Sequence, residues 1–293
     1  MNVLIGCDVD PWLRRPGREW EPLDLIDRLQ EAMASELPPI TWLIRCDESV
    51  RMATGTYDSG FTTRARMWED LLSSGHEIGW HMHPLSWNGS HDKQLRFDPE
   101  PAWLPAACAA LRPHAPIRAS RTGYDYGSNW LFRKLDTLKI ELDFSALPGQ
   151  ISWFKPVDES IVTDWRRCLG PAPYHPDAND YQRPGPAPLG LLEVPITAFR
   201  NTPAGLLRRL AWRLWNGCPS AIGLSRKTLK MTDGWPGLPQ KAGVWAFYFH
   251  AYDLSETGGA NFVRNIERLR AISNVEFLTA SEINRRLRAG GYQ

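Results

Sequence analysis

The stretch NVLIGCDVDPW, residues 2–12, is an apolar run that ends in two carboxylates, Asp8 and Asp10. The same form returns along the chain. ITWLIRC (40–46) runs into Asp47, HEIGWHM (76–82) carries His81 and runs into His83, IRAS (117–120) runs into Arg121, KIELD (139–143) closes on Asp143, and GVWAFYF (243–249) runs into His250. With LLEVPI (191–196) and VEFL (275–278), these runs predict strands over 2–7, 40–46, 76–82, 117–120, 139–143, 191–196, 243–249 and 275–278. Amphipathic stretches between them predict helices over 22–35, 62–73, 100–111, 128–137, 203–216, 258–271 and 280–288. Strand and helix in alternation give an α/β class with a mainly parallel sheet. In a βα barrel every strand's C-terminal end faces one rim, so polar groups far apart in sequence converge there.

Each polar pair also has a local reading. The strand period of two puts Asp8 and Asp10 on one side and Val9 on the other, and two acids aimed at one place need a cation or a shared proton. An aspartate cap beside the Pro11 turn accounts for the pair equally well on its own. His81 and His83 share a face if the strand persists, roughly 7 Å apart at the backbone, within reach of one divalent ion. Together with the acid pair they point to a metal. His76 starts its strand and reads as structural. Arg121-Thr122-Gly123-Tyr124 is a guanidinium followed by a tight turn able to hold an oxyanion, although an Arg121–Asp143 packing pair is the plainer alternative. His250, delivered to a strand end, can serve as a general acid or base near neutral pH.

Composition sets the surroundings. The chain of 293 residues has 34 basic and 33 acidic side chains, net +1, which excludes a polyelectrolyte built for nucleic acid. With 43% hydrophobic residues and 14 Trp it has material for a large core. No apolar run approaches the ~20 residues of a membrane span. Five scattered cysteines, Cys7, Cys46, Cys108, Cys168 and Cys218, read as reduced buried thiols. Since the chain enters its first strand at Val3 with no export leader before it, a cytoplasmic protein is expected.

Residues 170–189 hold six prolines and read as a loop over the barrel mouth, because LLEVPI resumes directly after them. Residues 1–293 are taken as one domain with rim insertions near 150–190 and 201–240. The basic segment 206–216 is either a membrane-surface helix or a cover on the barrel. Trp80 and Trp87 could stack on sugar faces or fill the core.

In order and over nearly the whole chain, these segments resemble the polysaccharide deacetylase (NodB-homology, carbohydrate esterase family 4) group. GHEIGWHMHP is similar to the family's GHEIG-x-H, RTGY to its Arg-x-Pro-Tyr, LDFSA to the segment with its next aspartate, FYFHAYDL to FHPWEL, and VEFLTASEI to its last strand and helix. The resemblance implies a distorted (β/α) barrel of about seven parallel strands and one divalent metal, often zinc, that serves to hydrolyse an N-acetyl group on a sugar. It assigns Asp10, His81 and His83 to the metal, Asp8 as general base and His250 as general acid. Arg121 would hold the base, the Tyr124 N–H would stabilise the oxyanion, and Asp143 would orient a catalytic partner.

Three departures stand out. Val9 separates the usually adjacent aspartates, so the roles of Asp8 and Asp10 could be exchanged. The family's second histidine falls four residues after the first, where this chain has Leu85; His83 takes its place, with His91 in reserve. Gly123 replaces the proline of Arg-x-Pro-Tyr. Rim insertions narrow a groove into a pocket, so the expected substrate is an N-acetylated sugar or glycosylated small molecule. The competing readings are a metal-dependent amidohydrolase on a non-sugar amide and an inactive carbohydrate-binding relative.

Overall fold

The computed structural model describes residues 1–33, 36–87, 95–155, 160–168, 170–197 and 243–290. The expected helix over 203–216, the basic segment 206–216, the whole second insertion near 201–240, Cys218 and His91 lie outside the described residues.

The strands are β1 (Asn2–Val9), β2 (Thr41–Arg45), β3 (Glu77–Met82), β4 (Leu85–Trp87), β5 (Leu95–Phe97), β6 (Ala119–Thr122), β7 (Leu142–Asp143), β8 (Ile151–Phe154), β9 (Ile161–Asp164), β10 (Leu192–Glu193), β11 (Val244–His250) and β12 (Glu276–Leu278). Seven of them form a parallel path in the order β10-β7-β6-β3-β2-β1-β11, with β12 pairing β1 off that path. β12 runs beside residues 2–4 of β1 and β2 beside residues 6–9, so the two share one edge in succession. The curled sheet closes through Thr197: its N–H donates to Ala246 O at 2.8 Å, and Ala246 N–H donates back to its Oγ1 at 2.9 Å. This is a distorted (β/α) barrel.

Helices α1 (Pro22–Met33), α2 (Glu48–Thr54), α3 (Ser59–Thr62), α4 (Ala65–Ser73), α5 (Leu104–Leu111), α6 (Asn129–Thr137), α7 (Glu256–Arg270) and α8 (Ala280–Ala289) accompany the sheet. Buried apolar positions at i, i+3 and i+4 spacing explain the longer ones; α1 buries Leu23, Ile26, Leu29 and Met33. Because helices cover one side and the barrel interior the other, β1 and β2 are buried almost throughout. The interior is filled from opposite walls: a methyl group at Gly6 of β1 would lie 2.6 Å from Phe144 Cζ, just past β7.

Short elements at the rim depart from the expected pattern. α2 follows β2 directly, capped by Asp47, and two antiparallel hairpins, β4–β5 and β8–β9, stand where loops were expected. Ladders of three and four residues are too short to show a period. The proline-rich segment runs along the flank: Tyr174 pairs with Glu193 of β10, Arg133 of α6 donates to Ala178 O at 2.7 Å, and Tyr181 packs against Trp165 and Phe132. No helix among the described residues is long and apolar enough to cross a membrane.

Candidate metal and catalytic centre

Register decides which side chains meet. On neighbouring parallel strands, residues in register present their side chains to the same face. Asp8 is in register with His250, Arg45 with His81, and His81 with Arg121, so these five strand ends aim into the barrel mouth. Asp10 and His83 lie two residues beyond Asp8 and His81 and keep that face.

His83 Nε2 lies 3.4 Å from Asp10 Oδ1 and His81 Nε2 lies 3.7 Å from it, while the two Nε2 atoms are 3.1 Å apart. Ligands at 2.0–2.1 Å on a tetrahedral ion stand about 3.3 Å from one another, so the donor spacing fits a small divalent cation. Among the described residues this is the one such group of three or more His, Cys, Asp or Glu. His81 Nδ1 donates to Arg121 O at 2.8 Å, which leaves Nε2 with its lone pair toward the cluster. Burial lowers the pKa of both histidines, so both imidazoles are neutral, the form that can bind a cation. For Asp10, burial alone would raise the pKa, but the histidines and Arg45 outweigh it and hold the group well below the usual range.

Behind the trio stands a buried lattice of which the sequence reading noted only Asp47, as a strand-end acid. Arg45 Nη1 donates to Asp10 Oδ1 at 3.2 Å and its Nε to Asp47 Oδ2 at 2.7 Å. Asp47 Oδ2 also accepts the His83 N–H at 3.0 Å, and Oδ1 caps α2 through Ser49 N–H and Val50 N–H. The signal for Arg45 was a charged residue inside a buried strand, at the parity of His81.

Asp8 sits on the other side. Its Oδ2 accepts from Arg121 Nη1, and His250 Nε2 is 3.6 Å away; Oδ1 is buried with no hydrogen-bond partner. Burial pushes its carboxyl up to about 6, against the pull of Arg121 and His250. Arg121 also donates to Asp125 and lies 3.9 Å over the Tyr248 ring. His250 Nδ1 faces Asp253 Oδ2 at 3.3 Å and its ring stacks on Tyr252. Burial would lower the His250 pKa, but the Asp253 hydrogen bond and the Asp8 charge raise it above the ordinary value.

Tyr124 and Asp125 both occupy the left-handed region, with φ of 61° and 53°, strain of the kind that gathers at functional turns. The Tyr124 ring meets His83 edge-on at 4.6 Å and Phe154 at 5.4 Å.

Asp143 is placed apart from the others. It is in register with Ser120 and Glu193, one residue out of phase with Arg121, so it faces the helix layer. There it accepts from Ser120 Oγ at 2.6 Å and Ser145 N–H at 3.0 Å. The acid that orients His250 is Asp253, three residues along the same chain, a spacing visible in the sequence. Trp80 is core, donating to Cys46 O at 2.8 Å, whereas Trp87 is exposed. His76 accepts from Ile40 N–H at 3.1 Å beneath the sheet.

Neither a family model nor a curated protein matches the chain in sequence. Among solved structures it is similar to a protein of Mycobacterium smegmatis assigned as a polysaccharide deacetylase, with a TM-score of 0.56 and 14% identity over 100% of this chain and 91% of that one. A second, from Pseudomonas aeruginosa PAO1 and also assigned as a polysaccharide deacetylase, gives 0.49 and 11% over 100% and 92%. The first likeness shows that the chain has the fold of that deacetylase.

Proposed function

We propose that the protein is a metal-dependent hydrolase that removes the N-acetyl group of an acetylated sugar or glycosylated small molecule, with one divalent ion, zinc first, held by Asp10, His81 and His83. The observation that carries the reading is the convergence of three metal-type donors 3.1–3.7 Å apart beside a buried base–acid pair, Asp8 and His250. When bound, a divalent ion supplies Lewis-acid polarisation of an amide carbonyl and makes water acidic enough to ionise near neutral pH.

The side chains supply the proton traffic. Asp8, ionised at neutral pH yet raised to about 6, takes the proton of the attacking water. Arg121 fixes its carboxylate, and Asp125 in turn fixes Arg121. His250, kept protonated by Asp253 and Asp8, gives its proton to the departing sugar amine. The Tyr124 N–H, on its strained turn, meets the oxyanion. Tyr124 and Phe154 offer ring faces for a sugar beside the metal ligands. Four buried free cysteines, Cys7, Cys46, Cys108 and Cys168, suit a reducing compartment and hence a cytosolic substrate.

The test is acetate release from acetylated small glycosides, nucleotide sugars and chitin oligomers by the zinc-loaded protein. Activity on the small substrates, lost in Asp8→Asn with zinc retained, is the expected result. Loss of zinc with residual turnover would exchange the roles of Asp8 and Asp10. Cleavage of long oligomers alone would overturn the substrate class, and no acetate from any of them would overturn the function.

A further inference from the structure

His83 reaches the cluster from a difficult place. It lies one residue past the end of β3, and the next donor of a regular parallel ladder there, the His83 N–H, would meet Cys46 O. That carbonyl is taken by Trp80 Nε1 at 2.8 Å. The His83 N–H turns instead to Asp47 Oδ2 at 3.0 Å, and Leu85 N–H folds back onto His83 O at 2.7 Å. Asp47 therefore stands in for the missing ladder acceptor. Through Arg45, which bridges Asp47 Oδ2 and Asp10 Oδ1, the same carboxylate also steadies the aspartate of the cluster.

The imidazole itself lacks the anchor that His81 has. His81 is fixed by a hydrogen bond at Nδ1, whereas His83 Nδ1 is buried with no partner. Its ring is held by shape. A methyl group on Gly123 would lie 2.5 Å from His83 Cγ and Nε2, and Tyr124 closes the neighbouring side edge-on at 4.6 Å. The space left by the missing Gly123 side chain is the space the imidazole fills.

We propose that Gly123 and Asp47 are the positioning residues that let a histidine two residues after His81 act as the third metal ligand, Gly123 by making room for the ring and Asp47 by anchoring the backbone. The inference rests on the metal reading above. It joins two departures noted in the sequence, the histidine at 83 and the glycine at 123, into one contact.

Cobalt(II) titration of the metal-free protein, followed by visible absorption, tests it without an activity assay. Wild type takes up one equivalent. Gly123→Ala weakens cobalt binding by about 10–100-fold, the usual effect of disturbing a group that orients a ligand, and alters the absorption bands. Asp47→Asn keeps the α2 cap, since asparagine caps as well as aspartate, and weakens binding similarly. In a His83→Ala background Gly123→Ala adds no further loss, because the ring it displaces is gone. Wild-type affinity and bands in both Gly123→Ala and Asp47→Asn overturn the inference, as does an equal Gly123→Ala loss with and without the His83 ring. Failure of wild type to bind cobalt at all overturns the metal reading and this inference with it.

Discussion

His250 is the residue whose charge state the centre depends on most directly. The groups facing it are Asp253 at 3.3 Å and Asp8 at 3.6 Å, with the Arg121 cation opposing and the rings of Tyr252 and Tyr248 beside it. Its folded pKa is raised, so the protonated form persists to higher pH, and a step that needs the acid fails as pH rises through that value. The stability it contributes has the same sign: present in full below the unfolded value near 6.5 and lost as pH rises through the folded one. Asp253→Asn removes the nearer negative charge while keeping an amide oxygen in its place. The expected outcome is a lower His250 titration point in nitrogen-15 histidine NMR, and an activity loss that grows toward high pH yet stays smaller than the ~10²-fold loss of His250→Ala. Asp143→Asn should leave the His250 titration unmoved; a shift there equal to that of Asp253→Asn would return the orienting role to Asp143.

At the level of elements, β7 and β10 bring Asp143 and Glu193 into register as buried carboxyls that share a hydrogen bond. Counted as two carboxylates, Glu193 Oε2 meets no donor; as the neutral acid it becomes the donor to Asp143. Burial, then Asp143, pushes Glu193 well above the ordinary glutamate value. A carboxyl raised in the fold stabilises fully below its unfolded value of ~4.3 and loses that contribution as pH rises through the folded one. Glu193→Gln keeps a donor at every pH. Its melting temperature is expected to gain on wild type steadily as pH rises above the glutamate range, and parallel curves would show that Glu193 is not the proton carrier. The same pair shows how far the sequence could be read. Asp143 was legible as a strand-end acid, but its face depends on a register with Ser120 that only pairing settles, and one residue of phase separates the mouth from the helix layer. Asp8, Asp10, His81, His83, Arg121 and His250 were legible because each breaks an apolar run at its end. Arg45 was hidden inside such a run, and the β4–β5 and β8–β9 hairpins were too short for alternation to show.

Across the whole molecule, the strand order was legible as a parallel α/β plan, while its closure through Thr197 was not, because that residue follows a two-residue strand and has no pattern of its own. The plan sets β2 between β1 and β3, so an ion on Asp10, His81 and His83 ties β1 to β3 across the strand that carries Arg45. A ligand bound only by the folded state stabilises it by about 2.7 kcal/mol at a hundredfold excess over Kd, which for a chain of this length raises Tm by about 5 °C. Zinc added to the dialysed protein is expected to give that rise, a chelator to reverse it, and Asp10→Asn to abolish it. The pH dependence adds a second condition. Ligands bind metal only when deprotonated, and an ordinary histidine site loses affinity as pH falls through ~6.5. Here burial depresses both His81 and His83, and the histidines with Arg45 hold Asp10 low despite its burial, so all three donors stay free of protons below that range. The zinc-induced rise should therefore persist to lower pH than at a site of ordinary histidines, as scanning calorimetry at pH 7.5 and pH 6 would show. A rise that collapses by pH 6, or one that survives Asp10→Asn, would place the zinc on other side chains and remove the tie between β1 and β3.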